Sequence, residues 1–486
     1  MTAPMQPFVR TQMLGQQKPP TSEQGAIKWV RENLFSGWLN SLLTLIGIYV
    51  IYHFFAAIIP WLMHGVWTAN SLMECRQIIA DRYADGVLEK VSGACWAVIN
   101  ERWHQYLFGF YPSDEYWRPT MALALMFVAL TPALFLDNAR AGSILLAGVA
   151  LATVLALLGL EGVTLHAAVT VVIFAAAIVV MSKRPAKLLW FTLLYPLIGF
   201  FLLWGGSVWG PIGALIGVGI MAIAFRLLSD RVGFVVAAGL SFLVACLWWF
   251  WLQTYVTTEL QALMPLGLSG VESDRFGGFV LAFTIGITAI TGSLPIGILL
   301  ALGRQSDMPL VKGICIGFIE FIRGVPLITM LFTASLLLQY FLPPTMIFDL
   351  ILRVIILVTI FASAYIAEVI RGGLAALPKG QFEAADALGL DYWQAQRLII
   401  MPQALKISIP GIVGSFIGLF KDTTLVALVG LADPLVGITK VVRADINWKA
   451  IYWEPYIFVG AIFFLFCFSM SRYSMYLERK LKTDHR

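Results

Sequence analysis

The feature that most constrains this chain is its long apolar runs. From about residue 38 onward, stretches of roughly 20 mostly apolar residues recur between short polar turns, each long enough to cross a bilayer as a helix. Of the 486 residues, 59% are hydrophobic and 13% charged, whereas a soluble domain carries roughly 25% charged residues. With no water in the hydrocarbon, each run must satisfy its backbone within itself, and that selects helices. The runs do not alternate at period two, which disfavours a transmembrane β-barrel. The expected fold is all-α, a polytopic helical membrane protein with about 12 transmembrane helices.

A polar tail, 1–37, comes first and carries Arg10, Lys18, Lys28 and Arg31. It lacks the layout of a cleaved signal, so the span 38–60 reads as an uncleaved anchor. A polar loop, 61–118, comes next, with helix expected between Ser71 and Ala97. Six spans then come quickly, at 120–137, 141–160, 163–181, 187–204, 211–228 and 232–252. Residues 38–252 thus form an N-terminal transmembrane extension. A polar linker, 253–276, leads to a second group of spans, 277–477, near 277–303, 311–341, 350–370, 404–428 and 456–477, and then to a tail, 478–486. Pro326 makes the long 311–341 stretch tilted or kinked.

Charge sets the orientation. With the N-terminus in the cytoplasm and each span changing sides, about twenty Lys and Arg fall inside and about nine outside. Both termini are then cytoplasmic, loops 61–118 and 253–276 lie outside, and the polar segment 378–402 lies inside. The net charge of +5 is scattered over short loops rather than gathered in a stripe, so no nucleic-acid partner is expected. Cys246, Cys315 and Cys467 fall in apolar runs and read as packing residues. Cys75 and Cys95 share one extramembrane loop and can form a disulfide if that loop meets an oxidising compartment; two free thiols are the alternative.

Catalytic chemistry is poorly supported. The five histidines are scattered, and neither HExxH nor CxxC occurs, so no catalytic residue and no metal site is expected. No GxxxxGK[ST] loop is present to cradle ATP phosphates. Ionisable residues at membrane depth are costly and point to function. Glu320, Arg323, Glu368, Lys421 and Asp422, with Thr423, fall in or near the later spans. Glu320 and Arg323 are three apart and share a helix face, so a local ion pair competes with a path-lining role. Glu368 reads as path-lining. A zwitterionic solute needs both signs of charge, and this set supplies both. Thr284, Thr288 and Thr291 present hydroxyls along one span, for a polar path or for their own backbone. The outer loop 431–454 holds charges with Trp448 and Trp453; its plainest reading is a solvated loop with interfacial tryptophans.

Segment 378–402 differs from the rest. Pro378 and Gly380 end the preceding helix, Pro402 limits the helix beyond it, and the Ala-, Leu- and Gln-rich sequence between favours helix. Two short helices lying across the end of the bundle are expected, with a bend at Gly389.

Glu383-Ala384-Ala385, then Gly389, then Ile399 and Pro402 resemble the EAA loop of ATP-binding-cassette (ABC) importer permeases. Met401 stands where Leu is usual, a volume-conserving change. Ile322-Arg323-Gly324-Val325-Pro326, Ala364-Tyr365-Ile366-Ala367-Glu368 with Arg371-Gly372-Gly373, and Lys421-Asp422-Thr423-Thr424 resemble the polar amino-acid branch. The likeness is to the longer permease subunit of general L-amino-acid importers and covers about the last two fifths of the chain.

The resemblance implies a type I importer core at 277–477 in a bacterial inner membrane, moving L-amino acids from periplasm to cytoplasm by alternating access. It implies that the chain is no enzyme and holds no cofactor, with ATP and Mg bound by a dimer of separate ATPase subunits. It implies a second, non-identical permease subunit and a periplasmic amino-acid-binding protein that docks on outer loops. Gly380, Gln381, Glu383, Ala384, Ala385, Leu388 and Gly389 would couple to the ATPase, with Ala384 and Ala385 packing into its cleft. A bulky charged residue at Ala385 is then expected to uncouple transport without loss of expression. The alternatives are an ion-driven secondary transporter working through buried carboxylates, and a membrane scaffold or sensor.

Overall fold

The computed structural model describes residues 25–86, 92–159, 164–337, 340 and 349–481. Arg10, Lys18, the terminal residues 482–486 and the far end of the expected 311–341 span lie outside them. The chain forms two compact units, Met1–Ala97 and Val98–Arg486.

In the first unit, α1 (Gly25–Asn33) precedes α2 (Trp38–Met63). Helix α2 is apolar on every side and buries none of its residues, as suits a helix surrounded by lipid. Next comes α3 (Leu72–Ala84), whose start is written in the sequence. Ser71 accepts from the Glu74 backbone at 3.1 Å, and Glu74 reaches back to the Asn70 N–H at 2.8 Å. Cys75 and Cys95 are joined in a disulfide with Cα atoms 6.1 Å apart. Helix was expected between Ser71 and Ala97; α3 ends at Ala84, and residues 92–94, before the bonded Cys95, are not helical.

Helix α4 (Ala97–Phe108) begins at the boundary, and the second unit then runs through α5 (Trp117–Phe135), α6 (Ala139–Leu158), α7 (Thr164–Lys183), α8 (Pro185–Trp204), α9 (Trp209–Val232) and α10 (Phe234–Leu247). A π turn at Trp248–Leu252 carries α10 on into α11 (Gln253–Leu263). The sequence places this stretch in the outer linker, yet Thr257 and Thr258 fold their hydroxyls onto the carbonyls of Gln253 and Thr254 and the helix continues. A two-residue ribbon pairs β1 (Gly206–Ser207) with β2 (Gly267–Leu268), antiparallel.

The later group consists of α12 (Gly278–Gln305), α13 (Pro309–Gly324), α14 (Leu327–Phe332), α15 (Leu350–Ala375), α16 (Lys379–Ala387), α17 (Tyr392–Ala395), α18 (Met401–Asp422) and α19 (Trp453–Leu481). Among the described residues, 11 helices are long and apolar enough to cross a membrane, or up to 12 if the bent α13–α14 pair is one span. That pair turns through 102° at Val325-Pro326. Helices α12 and α15 approach closely because Gly297 has no side chain: a Cβ there would lie 2.6 Å from Ile366.

Candidate functional site

Segment 378–402 is built by local rules. Helix α16 ends in a Schellman motif, with Gly389 at φ 68°, Gly389 N–H bonded to Asp386 and Leu390 N–H to Ala385. Helix α17 starts in a capping box between Asp391 and Gln394. It does not form a second separate helix. A π turn, Gln396–Ile400, joins it directly to α18. Pro402 therefore sits inside a continuous helix, and the wider turn before it accommodates the missing N–H and the ring.

Ala384 and Ala385 part company. Adjacent positions on a helix point about 100° apart. Ala385 is 1% exposed and packs with Ile370, Leu374, Ile400 and Ala404 in the core of its own bundle. Glu383, Ala384, Leu388 and Gly389 are exposed, with Leu388 71% exposed, and so is Gly380. Gln381 lies half-buried and accepts from Gln403 of α18 at 2.8 Å. Ala385 is therefore turned inward, away from the exposed face, where the resemblance implied that it packs into a partner's cleft. Its place is the joint that fastens α16 to α12, α15 and α18.

Above this joint lies a charge cluster. The carboxylate of Glu368 accepts from Arg371 at 2.6 Å, lies 3.3 Å from Arg304 and reaches Arg323 at 4.0 Å. Arg304 also donates to Glu320 at 2.9 Å, and the Arg323 guanidinium stands 5.7 Å from the centre of the Tyr365 ring. Glu320 and Arg323 do not pair with each other, since each finds a partner on another helix. Three helices, α12, α13 and α15, thus meet at Glu368. Reading the sequence missed Arg304, which no local pattern marks. It also missed the role of Arg371, although a Glu and an Arg three apart on one helix are a readable signal.

Lys421, Asp422 and Thr423 lie at the other end of the bundle. Phe420 packs against Phe283 near the start of α12, whereas Arg304 lies near its end. The separation is about twenty residues of helix, roughly 30 Å. Thr423 is buried and donates to the Phe420 carbonyl at 2.7 Å. The six residues expected along a path therefore fall into two groups, at opposite ends of α12. Thr284 likewise donates to its own helix, at Val280.

At the same end, side chains of α4 bond to loop 431–454. Trp448 is fully buried, and its indole N–H donates to Glu101 of α4 at 2.8 Å. Arg102 of α4 pairs with Asp445. The loop 431–454 is thus not wholly solvated: Trp448 is covered, while Trp453 is 71% exposed. Nearby, Asp433 is 1% exposed and caps a turn by accepting from the Val436 N–H at 2.8 Å. Among the described residues its second oxygen has no hydrogen-bond partner, and burial pushes its carboxyl up to about 6. Among the described residues, no group of three His, Cys, Asp or Glu could hold a metal ion.

Residues 293–483 match the family described as "Binding-protein-dependent transport system inner membrane component". The glutamate/glutamine/aspartate/asparagine transport system permease protein BztC of Rhodobacter capsulatus is 59% identical over 99% of this chain and 99% of its own length. The inner membrane amino-acid ABC transporter permease protein YhdY of Escherichia coli is 34% identical over 94% of each chain. The probable glutamine ABC transporter permease protein GlnM of Bacillus subtilis is 30% identical over 43% of this chain and 93% of its own length.

Proposed function

Since this chain belongs to the inner-membrane permeases of binding-protein-dependent amino-acid ABC transporters, we propose that it imports L-amino acids from periplasm to cytoplasm by alternating access. Glutamate, aspartate and their amides are the proposed substrates, by likeness to the Rhodobacter relative. The proposed partners are a dimer of ATPase subunits that bind ATP and Mg, a second, non-identical permease, and a periplasmic binding protein. The proposed setting is a bacterial inner membrane with both termini cytoplasmic, on the strength of the Lys and Arg distribution. The Cys75–Cys95 disulfide supports a periplasmic place for its loop.

The observation that carries the coupling step is the division of labour on α16. Ala385 is buried in the core shared by α12, α15 and α18, while Ala384 and Leu388 stand exposed. A partner gripping the outer face would move three spans through the inner face. Glu368, which ties α12, α13 and α15 together next to that joint, would hold those spans in register.

The test is uptake of labelled glutamate into vesicles that contain the chain with its co-purified partners. Uptake that needs both ATP on the ATPase side and the binding protein supports the proposal. Uptake by the chain alone down an ion gradient would instead favour a secondary transporter.

A further inference from the structure

A cavity of about 420 Å³ lies where the extension packs on the core. Its wall includes Ala122 of α5, Tyr195 and Trp204 of α8, Thr284 of α12, and Asp349 and Leu352 at the start of α15. This volume falls in the range of small-ligand pockets, roughly 300–1,000 Å³.

The wall is mostly apolar, and several of its polar groups are already used. Tyr195 donates to the Ala122 carbonyl at 2.9 Å and Thr284 to Val280 at 2.7 Å. Trp204 donates to Ser273 at 2.8 Å, and Ser273 in turn bonds Asp349. An amino acid, with two charged groups to satisfy, would find few partners here. A hydrocarbon chain needs none, and most of the wall is apolar.

The height of the cavity is also informative. Its wall uses the first turns of α5, α12 and α15 and the last turns of α8. All of these lie at the end of the bundle away from α16. From Asp349 down α15 to Ile355, also on the wall, is about 9 Å, well inside one leaflet of roughly 15 Å. Leu352, 44% exposed, stands at the mouth.

Asp349 gives the outer end a sign. Among the described residues, it is the one charged side chain on the wall. It accepts from the Leu352 N–H at 3.1 Å and from Ser273, and a carboxylate has about four acceptor sites. Arg353, one turn further on, donates to the Ser335 carbonyl at 2.8 Å.

We infer that this cavity is a lipid site: it takes one acyl chain of a phospholipid whose ammonium headgroup, as in phosphatidylethanolamine, lies at Asp349. The lipid wedges the extension against the core. Only the assignment to the outer leaflet rests on the orientation proposed above; the site itself does not.

The experiment purifies the full chain with its co-purifying partners and reconstitutes it in nanodiscs holding equal phosphatidylethanolamine and phosphatidylglycerol. After stripping in detergent, retained lipid is measured by native mass spectrometry. Wild type is expected to keep phosphatidylethanolamine over phosphatidylglycerol by about tenfold. Ala122→Phe, which fills the cavity, should lower retained lipid by about tenfold or more. Asp349→Asn should keep a lipid but lose the headgroup preference. Should Ala122→Phe fail to fold, Leu352→Trp at the exposed mouth serves in its place and should also lower retention. Equal retention by a folded cavity variant, no headgroup preference in wild type, or a retained free amino acid in place of lipid would each overturn the site. Labelling single cysteines from either side of the membrane tests the orientation separately, so an inverted topology would move the leaflet without touching the lipid result.

Discussion

The indole of Trp448 donates to Glu101 across 347 residues of sequence, from the loop before α19 to the first helix after the disulfide loop. This bond, with the Arg102–Asp445 pair beside it, ties α4 to loop 431–454. Trp448→Phe should keep most of the packing and lose one hydrogen bond, costing about 1 kcal/mol. Trp448→Ala should cost about 3–5 kcal/mol through the cavity it leaves. Thermal unfolding in detergent ranks the two; a Trp448→Phe variant as stable as wild type would mean that the bond contributes nothing.

Glu368 is the shared partner of three arginines, one each on α12, α13 and α15. It is 21% exposed, so solvent screens part of each interaction. Glu368→Gln should therefore lower stability only modestly, by about 1 kcal/mol. Uptake should fall further, by roughly tenfold or more, because the neighbouring spans lose their common tether. Unchanged uptake in membranes with normal amounts of the variant would reduce Glu368 to a static brace.

Asp433 gives the fold a pH dependence. Burial lifts its carboxyl from an ordinary 3.8 to about 6, so the folded state binds the proton more tightly than the unfolded state. Its favourable contribution is fully present below pH 3.8 and is lost as pH rises through about 6. Asp433→Asn keeps a capping acceptor without the charge. Above pH 6 the variant should be the more stable protein, by at most about 3 kcal/mol. That advantage should shrink on acidification. Unfolding curves at several pH values check this, and a variant no more stable than wild type at pH near 8 contradicts it.

The Cys75–Cys95 bond closes a loop with a sequence separation of 20. Replacing both with Ser should cost roughly 3 kcal/mol in the unit that holds them. A maleimide reagent should label wild type at these positions only after reduction. Ready labelling of both thiols before reduction would show that the bond does not form in the cell.

The sequence carried the helical class and most span positions, because a run of roughly 20 apolar residues has one good solution in lipid. The bend at Gly389 was equally readable, since a left-handed residue after Ala387-Leu388 ends a helix. Three things were not readable. The inward turn of Ala385 depends on which face of α16 meets α15 and α18, and two adjacent alanines look alike in sequence. The split of Lys421 and Asp422 from Glu368 depends on where along α18 each falls in the assembled bundle. The burial of Trp448 depends on a partner helix more than three hundred residues away in the chain. Contacts at long sequence separation leave no period to count.

The most direct test of the central claim compares Ala384→Glu with Ala385→Glu in the assembled transporter. Both variants are tracked for membrane content and for ATP hydrolysis in lipid, with and without the loaded binding protein. The account predicts that Ala384→Glu assembles but loses stimulation, because it faces the partner. It predicts that Ala385→Glu is lost from the membrane before coupling can be asked, because its carboxylate would be forced into the closed core beside Ile370 and Ala404. Full stimulation in Ala384→Glu, or a well-folded Ala385→Glu that hydrolyses ATP without coupling, would contradict the assignment of the two faces.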